Sequence, residues 1–180
     1  METVVSMSDA ADNEAVEGDK PNKVILLPIQ NRHSSNARYP ISAERIALLL
    51  QESGYKGSVV ETETRKFVES SAEGWKFRVY FFNDGRSEEE SEFTSLMFSA
   101  GWGIDPKDAE VTLKSSNIFN MKFRYLKAYV VSEEEYTYTE TEMSQYCPEG
   151  LSDDGFKALL DMFINLRQSY VAICREMRKF

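Results

Sequence analysis

The sequence is poor in the residues that build metal sites and disulfide frameworks. Among 180 residues it contains one histidine, His33, and two cysteines, Cys147 and Cys174. A histidine cage, an all-cysteine zinc site and a network of disulfides each need more ligands than this. A Cys–His nucleophile pair would require His33 to fold back onto Cys147. We therefore expect no metal, no cofactor and no catalytic residue.

Long apolar runs and an excess of positive charge are also missing. No stretch approaches the ~20 apolar residues that a membrane-spanning helix needs. The chain has 21 Lys and Arg against 30 Asp and Glu, a formal net charge of −9, whereas domains that hold nucleic acid are usually basic. No glycine-rich loop that cradles phosphates occurs either. These features argue against nucleic acid, membrane surfaces and nucleotides as partners.

The length predicts one domain, preceded by an acidic tail. Residues 1–22 contain six acidic residues, one basic residue and no aromatic residue, a composition typical of disordered segments. The start lacks the positive charge of a secretory signal, so we expect a cytoplasmic protein. Residues 23–40, with Pro28 and Pro40, are predicted to be an extended linker or edge segment. Residues 41–180 would form the folded domain.

Three helices are predicted from capping residues and apolar spacing. Ser42 would cap a helix that ends at Gly54, and Asp105-Pro106 would begin a second that runs to about residue 120. Ser152 would cap a long third helix, about residues 153–178. Its apolar residues follow the helical period and are Phe156, Leu159, Leu160, Phe163, Leu166, Tyr170, Ile173 and Cys174.

Six strands are predicted between and after these helices, and the third is the clearest because it alternates and ends at Asn83-Asp84-Gly85. The order α-β-β-β-β-α-β-β-α predicts an α+β fold in which helices pack on an antiparallel meander. The predicted strands span residues 58–63, 65–70, 75–82, about 92–100, 125–131 and 136–142.

The third and fourth strands have aromatic or apolar residues on both faces. One layer of helices covers only one face, so the other must meet solvent, residues 23–39, a second copy of the chain or another protein. We expect a homodimer first and coverage by residues 23–39 next. The candidate partner-binding residues, all assigned to the uncovered face, are Tyr80, Phe82, Phe93 and Met97.

The other conspicuous residues have simple structural interpretations. Asn117 and Asn120 lie near a helix end, where Asn side chains often satisfy backbone groups. Phe119 is predicted to be core. Cys174, on the apolar face of the last helix, is expected to be a small hydrophobe. The acidic run at residues 88–90 is typical of a solvated loop.

Several short motifs occur in a defined order. The most specific is Asn117-x-Phe119-Asn120, which precedes the aromatic-basic step Phe123-Arg124 and the strand Lys127-Ala128-Tyr129. The others are Leu48-Leu49-Leu50-Gln51-Glu52-Ser53-Gly54-Tyr55, the strand from Phe77 to Phe82, and Gly150-Leu151-Ser152.

These motifs resemble the YbjN family over about Ile41 to Met177. The resemblance implies a bacterial regulator of sensory transduction. It also implies a fold similar to that of type III secretion chaperones, small acidic dimers that bind extended segments of other proteins. Departures are Phe119, where the family often has Trp, and the acidic run at residues 133–135, where an Asp/Gly turn is usual. Residues 1–40 are not covered.

The sequence thus predicts a non-enzymatic regulator, adaptor or chaperone-like module with a protein partner. Three alternatives stay open: a small-ligand binding module with a pocket under the last helix, an unrecognised hydrolase and a purely structural subunit. An enclosed apolar cavity with convergent polar groups would favour the first. A cleft with a carboxylate or thiol of strongly shifted pKa would favour the second.

Overall fold

A computed structural model describes residues 37–83, 93–133 and 136–179. It contains three α-helices and six strands in the predicted order. The predictions for the acidic tail, most of the 23–40 segment, His33 and the acidic run at 88–90 lie outside the described residues. The elements are α1 (Ala43–Glu52), β1 (Ser58–Glu61), β2 (Lys66–Ala72), β3 (Trp75–Phe82), β4 (Ser95–Gly103), α2 (Ala109–Lys122), β5 (Lys127–Ser132), β6 (Thr137–Tyr146) and α3 (Asp153–Met177).

The strands form one antiparallel sheet in the order β1-β2-β3-β4-β6-β5. The first four strands are a meander. The chain then crosses through α2 and returns as a hairpin, so that β6 pairs with β4 and β5 takes the edge. The α+β prediction is confirmed. Strand β6 extends to Tyr146, four residues beyond the predicted end, because its residues 138–146 pair with the whole of β4.

The helix ends follow the predicted caps with one difference. The Ser42 hydroxyl accepts from the Arg45 N–H, and the Ser152 hydroxyl accepts from the Gly155 N–H. Asp105 caps a 3₁₀ turn at Pro106–Asp108, and the α-helix itself begins only at Ala109. Pro106, at the first position of that turn, has no N–H that would need a partner, as is common at the start of a helical segment.

The core lies between the helices and one face of the sheet. Phe163, at the centre of α3, is fully buried and its ring packs 5.7 Å from Phe77, 5.1 Å from Phe98 and 5.9 Å from Trp75. Phe119 and Cys174 are buried as predicted. The helices α1 and α2 each contact α3, so all three lie on the same face of the sheet.

Candidate functional site

The face of the sheet that points away from the helices is called here the open face. Within residues 37–83, 93–133 and 136–179, no helix packs on it. An apolar row crosses four strands of this face, because Val60 pairs with Phe67, Phe67 with Tyr80, and Tyr80 with Met97. The ring centroids of Phe67 and Tyr80 are 5.5 Å apart. The row gives the open face an apolar strip although it has no helix above it.

Two exposed aromatic side chains extend this strip towards one end of the sheet. Phe82 is 48% exposed and Tyr146 is 52% exposed, and both pair with Ser95, one from each side. Three of the four predicted partner-binding residues, Tyr80, Phe82 and Met97, are therefore neighbours on one face.

The fourth candidate, Phe93, lies on the other side of the sheet, and its assignment to the same face was wrong. Strand β4 begins at Ser95. Before it, Phe93 forms an isolated bridge with Ile41, and its ring stacks 5.2 Å from that of Phe81, on the helix side. The backbone bends at Thr94, so the alternation counted back from Met97 does not continue to Phe93.

The part of the open face that β6 forms is acidic. Glu140 accepts a hydrogen bond from the Ser99 hydroxyl, and Glu142 pairs across the strands with both Ser99 and Lys127. Beside them, burial, the hydrogen bond with Glu142 and the charges of both carboxylates raise the pKa of Tyr129 well above its usual range. The open face thus combines an apolar strip with a pair of carboxylates on β6.

Arg78 also lies on the open face, on β3. Its guanidinium is 5.3 Å from the centroid of the Phe67 ring, and its Nε donates to Glu69 at 3.1 Å. This arginine is therefore exposed and paired with a carboxylate.

On the helix side, a buried polar cluster ties α2, α3 and β6 together. The Tyr170 hydroxyl lies 2.8 Å from the Ser116 hydroxyl and 2.6 Å from the Thr139 hydroxyl. Nearby, the Asn120 side chain bonds both backbone groups of Ala128 at 2.8 and 3.0 Å. The structural interpretation of Asn120 is confirmed. The role of these groups is to join elements, since each hydroxyl is already used within the fold.

One unusual residue on the helix side, Arg167, was not predicted from the sequence. Although its side chain is charged, it belongs to the core-facing stripe of α3 and is only 7% exposed. Its guanidinium carbon lies 3.7 Å from the centroid of the Trp75 ring and 5.1 Å from that of Trp102. A charged residue between Phe163 and Tyr170 in an otherwise apolar stripe was the available signal.

Among the described residues, no group of three His, Cys, Asp or Glu side chains is placed to hold a metal ion. Both cysteines are buried, and burial raises the pKa of the Cys147 thiol and of the Cys174 thiol. A raised pKa disfavours the thiolate, the reactive form. No helix in the described part of the chain is long and apolar enough to cross a membrane.

Two solved structures are similar to this chain. The crystal structure of YbjN from E. coli, called a putative transcription regulator, superposes with a TM-score of 0.58 at 11% identity, covering 77% of this chain and 93% of that one. An uncharacterized protein from Methanothermobacter thermautotrophicus gives a TM-score of 0.49 at 14% identity, covering 77% of this chain and 98% of its own. No curated protein matches the chain.

The sequence profile of one family spans most of the folded region. The family is YbjN, described as "Putative bacterial sensory transduction regulator", and its profile matches residues 42–175. That range contains every helix and strand described above except the last two residues of α3. Because the match covers well over half of the chain, this protein belongs to the YbjN family.

Proposed function

We propose that this protein is a non-enzymatic regulator or adaptor that binds an extended segment of another protein on its open face. The observation that supports this most directly is the apolar row Val60, Phe67, Tyr80 and Met97, aligned across four strands on the side away from the helices. Phe67 is buried within this row, the other three side chains are half-buried, and the neighbouring Phe82 is exposed. Apolar surface that stays accessible to solvent is typical of interaction sites. The regulatory description of the family is consistent with such a role.

The chemistry of the open face specifies the kind of segment it would accept. The strip of Tyr80, Met97 and Phe82 suits apolar or aromatic side chains, which supply most of the energy in protein interfaces. Glu140 and Glu142 lie beside it, on β6. Carboxylates next to an apolar strip favour a partner that carries Lys or Arg beside its apolar residues. We therefore expect an apolar and basic segment in extended conformation.

Synthetic peptides test this proposal without knowledge of the partner. Three peptide sets share one alternating apolar pattern and differ only in the flanking residues, which are Lys and Arg, Ser, or Asp and Glu. The basic set should bind best, measured by fluorescence anisotropy, and its advantage should shrink as salt screens the charges. Equal binding of the three sets would contradict the predicted charge preference, and no binding by any set would contradict the proposal.

Matched variants locate the binding. Phe82→Ala removes an exposed aromatic from the open face, and Tyr125→Ala removes one that is 69% exposed on the connection between α2 and β5. The first should weaken peptide binding by about tenfold, the loss expected for an interface residue worth over 1 kcal/mol. The second should leave binding unchanged. Equal effects would show that binding is not specific to the open face.

A second copy of the chain is the competing occupant. Light scattering coupled to size exclusion, across a dilution series, separates the two cases. A mass of one chain throughout would leave the open face for another protein, and a mass of two chains lost in Phe82→Ala would assign it to a homodimer. If the chain is monomeric, deletion of residues 1–36 shows whether that segment shields the face, because the shortened chain would then bind the peptides more tightly, dimerise or aggregate.

A further inference from the structure

Arg167 occupies a position that helical periodicity assigns to the core. The fully buried residues Phe163 and Tyr170 lie one turn before it and about one turn after it on α3. A long charged side chain usually reaches to water along an apolar surface, and Lys or Arg is almost never this buried without a partner. Its presence in this stripe therefore needs a physical explanation.

Two tryptophans from neighbouring strands flank the guanidinium. Trp75 is the first residue of β3 and Trp102 is next to the last residue of β4. Because β3 and β4 are antiparallel, both indoles lie at the same end of the sheet, 3.7 and 5.1 Å from the Arg167 guanidinium carbon. An aromatic face attracts a cation. Contact with aromatic rings leaves the N–H groups along the edge of the guanidinium plane for hydrogen bonds.

The Arg167 guanidinium forms no ion pair with a carboxylate among the described residues. Its Nε is buried without a hydrogen bond, and burial lowers the pKa of the guanidinium to about 10. Glu73 is the acidic residue that acts on it electrostatically, but the Glu73 carboxylate accepts a hydrogen bond from the Gln168 side chain at 2.6 Å. Arg78, by contrast, is exposed and bonds directly to Glu69.

We propose that Arg167, Trp75 and Trp102 form a binding site for a carboxylate group. A carboxylate matches the fork of donors on a guanidinium and can accept two parallel hydrogen bonds from it. A single negative charge also suits the surroundings better than a phosphate dianion, because Glu73 is close and the whole chain carries a net charge of −9. Both indoles are half-buried, and their accessible edges would contact the apolar part of the molecule that carries the carboxylate. This site lies on the helix side of the sheet and does not depend on the function proposed for the open face.

Intrinsic fluorescence reports on this site directly. The sequence contains two tryptophans, and both touch Arg167. The full chain is titrated with sodium butyrate, which does not absorb in the tryptophan band, and in parallel with inorganic phosphate and with chloride at equal ionic strength. Butyrate should give a saturable change in tryptophan emission that chloride does not give. No saturable change would overturn the proposal, and tighter binding of phosphate would overturn the assignment to carboxylates.

Variants separate a binding site from a packing contact. Arg167→Met keeps much of the side-chain volume but removes the charge and the donors, and should weaken butyrate binding about ten- to a hundredfold. Arg78→Met, the matched arginine variant on the open face, should bind butyrate as the unchanged protein does. An identical titration in Arg167→Met would show that butyrate acts elsewhere.

A third variant decides the question if Arg167→Met fails to fold. Glu73→Gln changes an exposed residue and removes the negative charge near Arg167, so butyrate should bind several-fold more tightly. An unchanged dissociation constant in Glu73→Gln would overturn the placement of the bound carboxylate beside Arg167. Circular dichroism of each variant confirms that the fold is retained during the titration.

Discussion

The two faces of the sheet use alternate residues of the same strands in different ways. On β3, Phe77, Val79 and Phe81 are buried against the helices, while Tyr80 is half-buried and Phe82 is exposed. Both sets are aromatic or apolar, so hydrophobicity alone does not separate them. The difference comes from what covers them, since the helices contact one set and no described helix contacts the other.

The polar residues of the two faces differ in the same way. On the helix side, hydroxyls such as those of Tyr170, Ser116 and Thr139 bond to each other and tie elements together. On the open face, Glu140 and Glu142 lie among residues that are partly accessible. Buried polar groups contribute stability and geometry, whereas accessible charges contribute specificity for a partner. We therefore expect substitutions on the helix side to lower the free energy of unfolding strongly and substitutions on the open face to change it little.

The largest effect is expected for Phe163→Ala. Phe163 is fully buried and contacts aromatic rings from β3 and β4, so its loss removes buried area and leaves a cavity. We expect the free energy of unfolding to fall by about 3 to 5 kcal/mol, measured by urea unfolding. A loss below about 1 kcal/mol would mean that the helix side is not the main core.

A smaller effect is expected for Tyr170→Phe, which removes one hydroxyl from the buried polar cluster and leaves the ring in place. The loss should be about 1 to 2 kcal/mol, because two buried hydroxyl partners lose a hydrogen bond. Tyr138→Phe is the matched control, since Tyr138 points from β6 to the open face. That control should change stability by less than about 0.5 kcal/mol. Equal losses in the two variants would remove the distinction between the faces.

The order of elements was predictable because the signals are local. Ser42 and Ser152 are caps within three residues of the groups they bond, and the alternation from Trp75 to Phe82 needs no knowledge of other strands. The position of Phe93 was not predictable in this way. The bend at Thr94 depends on backbone hydrogen bonds to residues far away in the chain, since Thr94 donates to the Phe82 carbonyl and accepts from the Cys147 N–H.

The arrangement around Arg167 was only partly predictable. A charged residue in the apolar stripe of α3 was visible in the sequence, and so were the two tryptophans. Their meeting depends on the register between β3 and β4 and on the path of α3 across the sheet, which bring together residues far apart in the chain. The sequence thus shows that Arg167 is unusual, but only the tertiary structure shows that both tryptophans contact it.

A still smaller effect on stability is expected for Phe82→Ala, the counterpart of Phe163→Ala on the open face. The side chain is 48% exposed, so its truncation removes little buried area and creates no closed cavity. The free energy of unfolding should change by less than about 0.5 kcal/mol, although peptide binding should weaken. A loss above about 2 kcal/mol in urea unfolding would mean that the chain itself already covers this part of the open face.

A comparably small effect is expected at the margin of the covered side, where the Lys66 ammonium on β2 lies 2.6 Å from the Glu44 carboxylate on α1. Burial opposes ionisation of Glu44, but the hydrogen bond with Lys66, a backbone N–H and the positive charge of Lys66 together keep the pKa of Glu44 below its usual 4.5. The hydrogen bond with Glu44 raises the pKa of Lys66 above its usual 10.5, against a smaller effect of burial. Both side chains are at least a third exposed, so the pair should contribute no more than about 1 kcal/mol.

The pH dependence of this pair has a definite sign. A lowered pKa for Glu44 means that its contribution is complete above pH 4.5 and is lost as the pH falls through its value in the folded protein. A raised pKa for Lys66 means that its contribution is complete below pH 10.5 and is lost as the pH rises through its folded value. The stability difference between the unchanged protein and Glu44→Gln, from urea unfolding at a series of pH values, should therefore be greatest between these limits and shrink towards both. A difference that grew as the pH fell below 4.5 would show that the folded protein is stabilised by the protonated carboxyl of Glu44. Glu44 and Lys66 would then not join α1 to the sheet as an ion pair.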